Sequence, residues 1–587
     1  MPIAAVDTET YYDSEVTITE LGIYHYLRHP KSDIYLVSIA TDTGIRYVGH
    51  PKDFDWSQIS GPTWTWLSHN AQFDLPVFQR LRELEVGNTC EVQEIAAWHD
   101  TADLAAFLSV PRSLREASRH LLNREMSKET RDSMKGKRWD AMTPIFKEEV
   151  LNYALKDAEN CLDLWLEHGH KWPAHEREIS QMTRQMALRG VPLDIEGLKK
   201  DIAKLETDIW ETEQIIPWKD THKILSRVAQ RDECLKYGLT PPDSFAQDDP
   251  EAERFFEEHA KDYPWIEGVR KYRKAEKHLA TLRTMLKRAR EDGWMTYGLK
   301  YGGAHTMRDS GDSGINLQNL PKGIVSGVDV RSKVCAPEGY TFAIVDLSQI
   351  EPRCLHWLAE DDKTLQYIRE IPDLYEAQAR AWGIWNGEGS MKKVAPDVRH
   401  MMKQLALGLG YGMGHKKFAD VAGIDQDEAF RLTKLYRERN PKVTQLWKKL
   451  EQPMLKTANH PTDKLFCMEL PSGRSMNYRN VSVTNGGLSA EIPRAGKLMR
   501  LGFWGGVLTE NLVQATARDV FMHQCLQIET WGIPVIMRVH DEAVCLVPEE
   551  SAQKRLDQII SIMSTAPEWA PGLPLSADGS LSKTYKK

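Results

Sequence analysis

Phe342-Ala-Ile-Val-Asp-Leu-Ser-Gln-Ile-Glu-Pro-Arg353 carries four apolar residues into an aspartate and then into a polar segment that can open a helix. The apolar run reads as a buried strand, so Asp346 stands at its end. An ionised carboxylate there costs several kcal/mol unless it is paired or metal-bound. A second stretch repeats the pattern: Val535-Ile-Met537 leads to Val539-His-Asp-Glu542 and so to Asp541. Between the two lies Arg399-x3-Lys403-x7-Tyr411-Gly412. Its residues Arg399, Lys403, Leu407 and Tyr411 recur at steps of four, which predicts one stripe along a helix. Two metal-holding carboxylates facing a basic helix that holds polyphosphate suit phosphoryl transfer from a nucleoside triphosphate.

Composition sets the frame for these segments. A chain of 587 residues predicts three or four domains of ~150 residues each. Apolar content of 41% with 27% charged residues excludes a disordered chain. The net charge of −8 argues mildly against nucleic acid as an average, but DNA contact needs only local basic surface. From Val269 to Arg290 there are nine Lys/Arg against one acid, Glu276, and that local excess outweighs the average. Eight scattered cysteines without a Cys-x-x-Cys pair argue against zinc and disulfides and predict a reduced, cytoplasmic protein. No apolar run approaches 18 residues, so no membrane span is expected, and the start turns acidic too soon for a signal peptide.

Along the chain the first ~170 residues alternate apolar runs (3–6, 34–39, 63–67) with helical stretches, an α/β pattern. The pattern breaks near Lys171-Trp-Pro173, and a long charged helical region follows, with a loop at 238–243. Residues 293–331 are rich in Gly and polar side chains.

The N-terminal part holds a second acid set. Asp7-Thr-Glu9 follows a strand candidate, His69-Asn-Ala-Gln-Phe-Asp74 follows another, and Tyr153-x3-Asp157 lies on an amphipathic helix. Four acids on three elements can bind two metal ions about 3.5–4 Å apart, and Tyr153, one turn before Asp157, can orient a water. Asp100 and Asp103 read instead as acids that cap or flank a helix.

In order and in neighbours, the three polymerase-like segments resemble motifs A, B and C of family A DNA polymerases. The N-terminal acids resemble the Exo I, II and III motifs of a ribonuclease-H-like 3′–5′ exonuclease. The resemblance spans nearly the whole chain. It implies an α/β multidomain fold: exonuclease domain 1–172, thumb and connecting helices 173–292, first palm part 293–360, fingers 361–465 and second palm part 466–587. It implies Mg2+ at each active site, two ions apiece with Mn2+ able to substitute, held by Asp346 and Asp541 in one and by Asp7, Glu9, Asp74 and Asp157 in the other. Arg399, Lys403, Leu407, Tyr411, Glu351 and Gln349 are then nucleotide-binding. Lys403 is placed to protonate the leaving pyrophosphate, Tyr411 to stack at the templating position, and Glu351 to exclude a ribose 2′-hydroxyl.

Arg308, Asn316, Gln318, Asn319, Gln514, Arg518 and His540 are the implied DNA contacts, and the cations of 270–290 the thumb's grip on phosphates. Leu470-Pro-Ser-Gly-Arg474 resembles a hairpin of phage relatives. Four positions depart from the family pattern: Leu347 and Leu407 where aromatics are usual, Pro352 after the glutamate, and Met307 where glycine is usual. Leu407 lacks a π-face, which weakens base stacking at that point. The implied partners are primer–template DNA and deoxynucleoside triphosphates, with a helicase, primase or processivity factor in phage replication. The start six residues before Asp7 predicts no 5′-nuclease domain ahead of the exonuclease. Two rivals compete: a nuclease whose C-terminal part only binds DNA, and a non-enzymatic scaffold. Each should lack acids from one site, and both sets are whole.

Overall fold

The computed structural model describes residues 1–126, 129–246, 249–484 and 486–586. The N-terminal sheet is built from β1 (Ile3–Thr10), β2 (Ile34–Thr41), β3 (Arg46–Gly49), β4 (Thr65–Ser68) and β5 (Ala97–Asp100), in the order β3-β2-β1-β4-β5. β1 pairs antiparallel with β2 and parallel with β4. Side chains alternate across a strand, and here the two faces have separate cores. Ala4 and Val6 join Ile39 and Trp66 on one side, while Ala5, Ala40 and Leu67 pack on Ala158, Cys161 and Leu162 of the helix Pro144–His168 on the other. β1 extends past its apolar run to Thr10, so Asp7 and Glu9 lie on the strand, in step with Ala5.

Two ribbons follow, pairing β6 (Val191–Pro192) with β7 (Trp294–Met295), and β8 (Gly298–Lys300) with β9 (Ser310–Asp312). The helices Ile195–Gln214 and Pro264–Arg288 pack on each other between these segments. Strand β10 (Tyr340–Leu347) then enters a second sheet, and helices from Ile350 to Asn459 form a unit with its own core around Leu374, Met402, Phe418 and Tyr436.

The segment expected to continue the palm divides in two. β11 (Phe466–Glu469), β12 (Ser475–Thr484), β13 (Gly487–Arg494) and β14 (Lys497–Phe503) make an independent antiparallel sheet in chain order, with residues 470–474 turning β11 into β12. After the helix Gly505–Thr530, β15 (Val535–Val539), β16 (Glu542–Pro548) and β17 (Ala577–Ser582) return to β10 in the order β15-β16-β10-β17.

The stripe expected from 399 to 411 is broken. The α-helix Pro396–Gln404 gives way to a π-turn at Leu405–Leu409, and Tyr411 lies beyond it in a turn. Gly408, Gly410 and Gly412 hold a helix weakly, and Gly412 has φ 78°. A Cβ there would meet the Trp504 ring. π-turns of this kind cluster at functional sites.

Candidate active sites

Asp346 sits next to the end of β10, directly opposite Glu542 on β16 and Asp578 on β17. Directly opposed residues of neighbouring strands share a face, and like charges so placed repel. Asp541 occupies the two-residue turn between β15 and β16, and its carbonyl accepts from the Leu347 amide at 3.1 Å. That bond fixes the turn beside Asp346. His540, exposed in the same turn, has φ 58°, and Gln349, which precedes the helix Ile350–Leu358, has φ 54°. Two non-glycine residues in left-handed backbone beside the two key acids is strain of the kind that collects at functional sites. Glu542 is buried and accepts from the Tyr585 hydroxyl at 2.9 Å.

Asp373 organises the basic helix. It caps the helix Leu374–Ala381, accepts from Gln349 Nε2 at 3.0 Å, and accepts from Arg399 Nε at 2.6 Å. The Arg399 guanidinium also lies over the Tyr375 ring, 5.2 Å from its centroid. Burial pushes the Tyr375 hydroxyl up to about 12; Arg399 opposes the rise, while Asp373, Glu351 and Asp541 add to it. Charges from all three motifs thus act on one tyrosine. Lys403 is exposed and Leu407 half-buried. The Tyr411 hydroxyl is buried without a hydrogen-bond partner among the described residues, and burial raises its pKa, with Glu351 and Glu510 adding.

The expected DNA contacts fall into different environments. Arg308 donates to Glu351. Asn316 caps the short turn Leu317–Asn319 by accepting from the Gln318 amide at 3.0 Å, and Asn319 is exposed. Gln514 donates to Glu510 at 3.2 Å. Met307 adopts φ 67°, the region glycine favours, so the methionine is strained at a position that suits glycine.

Arg518, expected as a DNA contact, lies in a buried ion network. It is 3% exposed and donates to Glu176 at 2.5 Å and to Asp519 at 3.1 Å. Arg474 completes this buried network by donating to Asp519. The helix Gly505–Thr530 is enclosed on most sides, so Arg518 faces protein where a DNA contact needs open surface.

The basic stretch is also partly spoken for. Arg273 donates to the Phe245 carbonyl, and buried Arg288 to the carbonyls of Thr19 and Ser313. Arg283 and Lys287 pair with Glu206 and Glu20. Exposed Lys277 still faces outward.

In the N-terminal domain, Asp7, Glu9, Asp74, Tyr153 and Asp157 line one cleft of about 1080 Å³. Asp74 accepts from the Thr8 amide at 3.1 Å and from its hydroxyl at 2.7 Å. Burial lifts Glu9 to about 8, Asp74 to about 7 and Asp157 to about 6. Asp7 rises well above the carboxylate range through burial and then through its neighbours Asp74, Glu9 and Asp157. The Tyr153 hydroxyl is raised by burial and by Asp157. Asp100 caps the helix Thr101–Phe107, and Asp103 pairs with Arg112.

The two sites suit a metal ion for different reasons. Among the described residues no three His, Cys, Asp or Glu groups are drawn together as a ready cage. In the N-terminal cleft, Asp7 Oδ2 and Asp157 Oδ1 are buried oxygens with no hydrogen-bond partner among the described residues. Mutually repelling carboxylates with buried, unbonded oxygens fit a hard divalent cation. In the second sheet the fit rests on the all-oxygen row of Asp346, Glu542 and Asp578 beside Asp541.

The model of DNA polymerase family A matches residues 196–587. The chain belongs to DNA polymerase family A. Its similar relatives include the DNA polymerase of Bacillus phage SP02, 30% identical over 49% of this chain and 52% of that protein. The thermostable DNA polymerase I of Thermus filiformis is 26% identical over 67% of this chain and 45% of its own length. The chain thus spans about half the length of these curated relatives. A solved structure, the POL domain of Pol1 from M. smegmatis in complex with DNA primer-template and dNTP, superposes with a TM-score of 0.70. It covers 99% of this chain and 95% of that one at 17% identity, a likeness of fold.

Sequence reasoning missed Asp373, Tyr375, Glu510, Asp578 and Arg131, the last of whose charge opposes the rise of Asp7, Glu9 and Asp157. Asp373 alone had a local signal, an acid just ahead of a helical pattern. The others depend on which distant elements meet.

Proposed function

We propose that this family A member is a template-directed DNA polymerase that extends a primer 3′-hydroxyl with deoxynucleotides, with a 3′–5′ exonuclease that proofreads, in phage DNA replication in the host cytoplasm. The carrying observation is the bond from Leu347 to the Asp541 carbonyl, which holds motifs A and C side by side with Arg399 close by. Asp346 and Asp541 would hold Mg2+, or Mn2+ in its place, which when bound neutralises phosphate charge and acidifies the attacking hydroxyl.

The chain's own residues supply the rest. Arg399 and Lys403 bind the triphosphate, and Lys403 gives a proton to the departing pyrophosphate. Glu351 blocks a 2′-hydroxyl, and Tyr411 closes the templating side. Arg308, Asn316, Gln318, Asn319, Gln514 and His540 hold primer–template DNA near the terminus. In the N-terminal cleft Asp7, Glu9, Asp74 and Asp157 hold metal for hydrolysis, with Tyr153 orienting the water. Among the described residues no helix is long and apolar enough to cross a membrane. A helicase, primase or processivity factor completes the proposed setting.

Extension of a labelled primer on a longer template, with Mg2+ and four deoxynucleotides, tests this reading. Wild type and Asp7→Ala lengthen the primer and Asp541→Ala does not. If wild type and Asp541→Ala both only shorten it while Asp7→Ala does neither, the chain is a nuclease and the palm assignment is wrong.

A further inference from the structure

The cleft that holds the four N-terminal carboxylates is not walled by its own domain alone. Pro493, Arg494, Ala495 and Gly496, the tip of the β13–β14 hairpin, line it as well. Arg494 pairs with Lys497 across a two-residue turn in which Ala495 has φ 50° and Gly496 φ 75°. Two successive positive φ values make the tight turn that matches strand twist, and an alanine there is strained. Arg494, Ala495, Gly496 and Lys497 are all exposed. Directly paired, Arg494 and Lys497 project from the same face.

The hairpin's base is held at both ends of the molecule. Its sheet packs Leu488, Ala490 and Ile492 with Leu508, Leu512 and Ala515 of the helix Gly505–Thr530. Next to it, β12 is pinned to the N-terminal domain, where the Asn477 amide donates to Ser109 Oγ at 3.3 Å and Arg479 to the Leu108 carbonyl at 3.1 Å. The sheet therefore runs from the helix that carries Gln514 to the mouth of the acidic cleft.

A DNA strand entering that cleft brings its phosphates toward four clustered carboxylates. Two of the cations inside are engaged, Arg112 with Asp103 and Arg131 against Glu9, while Arg115 and Arg184 line the wall with buried guanidinium nitrogens that have no hydrogen-bond partner among the described residues. Those nitrogens are buried, whereas Arg494, which lines the cleft, and its partner Lys497 are exposed and offer positive charge that a phosphate backbone can reach from solvent. We propose that Arg494 and Lys497, at the β13–β14 tip, bind the sugar–phosphate backbone of a single-stranded 3′ end and lead it to the N-terminal carboxylates. The proposal rests on the exonuclease reading above. These two are positioning residues, since they touch the strand away from the cleaved bond.

The test is steady-state excision of a single-stranded oligonucleotide at several salt concentrations, with wild type, Asp7→Ala, Arg494→Glu/Lys497→Glu, Arg494→Ala/Lys497→Ala and Arg494→Lys/Lys497→Arg. Charge reversal raises KM about tenfold at nearly constant kcat and removes about one or two counter-ions from the salt dependence. The conservative exchange keeps the wild-type KM. If charge reversal lowers the thermal midpoint, the alanine pair decides by the same criteria. Unchanged KM and salt dependence, while wild type excises and Asp7→Ala does not, overturn the hairpin's role alone. No excision by wild type overturns the exonuclease reading and this proposal with it.

Discussion

Arg308 donates to the Glu351 carboxylate at 2.5 Å, so the arginine assigned to the minor groove and the glutamate assigned to the sugar restrain each other before either meets a ligand. Both side chains are partly exposed, 30% and 22%. On the proposed function this joins hold on the primer terminus to rejection of ribonucleotides. Glu351→Ala should raise ribonucleotide use relative to deoxynucleotide use, and Arg308→Ala should do so more weakly. The double variant should fall short of the sum by about 1 kcal/mol, the scale of a partly exposed ion pair. Single-nucleotide insertion kinetics check this; strict additivity would show that the pair is incidental.

Arg399 and Gln349 share Asp373 as their acceptor. On the proposed function a triphosphate must draw Arg399 from that carboxylate, so the carboxylate competes with the nucleotide. Asp373→Asn keeps an oxygen for the helix cap and Gln349 but removes the charge. Nucleotide affinity in pre-steady-state insertion should rise about threefold, in keeping with a partly exposed pair. A fall in affinity would mean that Asp373 orients Arg399 for the nucleotide.

Protonation of the N-terminal cleft gives a stability signature. Glu9 at about 8, Asp74 at about 7 and Asp157 at about 6 bind protons in the folded chain above the pH at which the unfolded chain, with carboxylates near about 4, releases them. Their contribution is complete below about pH 4 and is lost as pH rises to about 8. With metal chelated, the thermal midpoint should fall across that window, and Glu9→Gln should flatten the fall. Added Mg2+ should restore stability more at pH 8 than at pH 5. A midpoint independent of pH with metal absent would contradict the buried cluster.

Arg518 should behave as a structural residue. Removing it leaves Glu176 and Asp519 buried with fewer partners, a change that costs about 3–5 kcal/mol. Arg518→Ala should lower the denaturant midpoint strongly and leave the salt dependence of DNA binding unchanged. A weaker salt dependence with intact stability would return Arg518 to the DNA interface.

Legibility followed locality. The apolar runs before Asp346 and Asp541 are continuous in sequence, and both became strands. Asp7 and Glu9 looked like residues beyond a strand because polarity hides the extension of β1, whose pairing with β2 continues to Thr10. The four-step spacing from Arg399 to Tyr411 predicts one helix, but the chain leaves the helix after Leu409, where the Gly410 carbonyl accepts from Trp447 and Gly412 meets the Trp504 ring, contacts made by residues far along the chain. Arg518 lies in a segment rich in polar side chains, and its partner Glu176 is 342 residues away. Of the β11–β14 sheet only its first turn, 470–474, stands out in the sequence.

The buried Arg288 ties the C-terminal end of Pro264–Arg288 to the carbonyls of Thr19 and Ser313. A helix of 25 residues is about 37 Å long. Anchored at that end, it is a lever: a swing of ~10° about the pivot would carry its far end through ~6 Å. Lys277, midway along, would travel about half as far, and on the proposed function a small rotation at the Arg288 fulcrum would set how tightly the arm closes on a duplex.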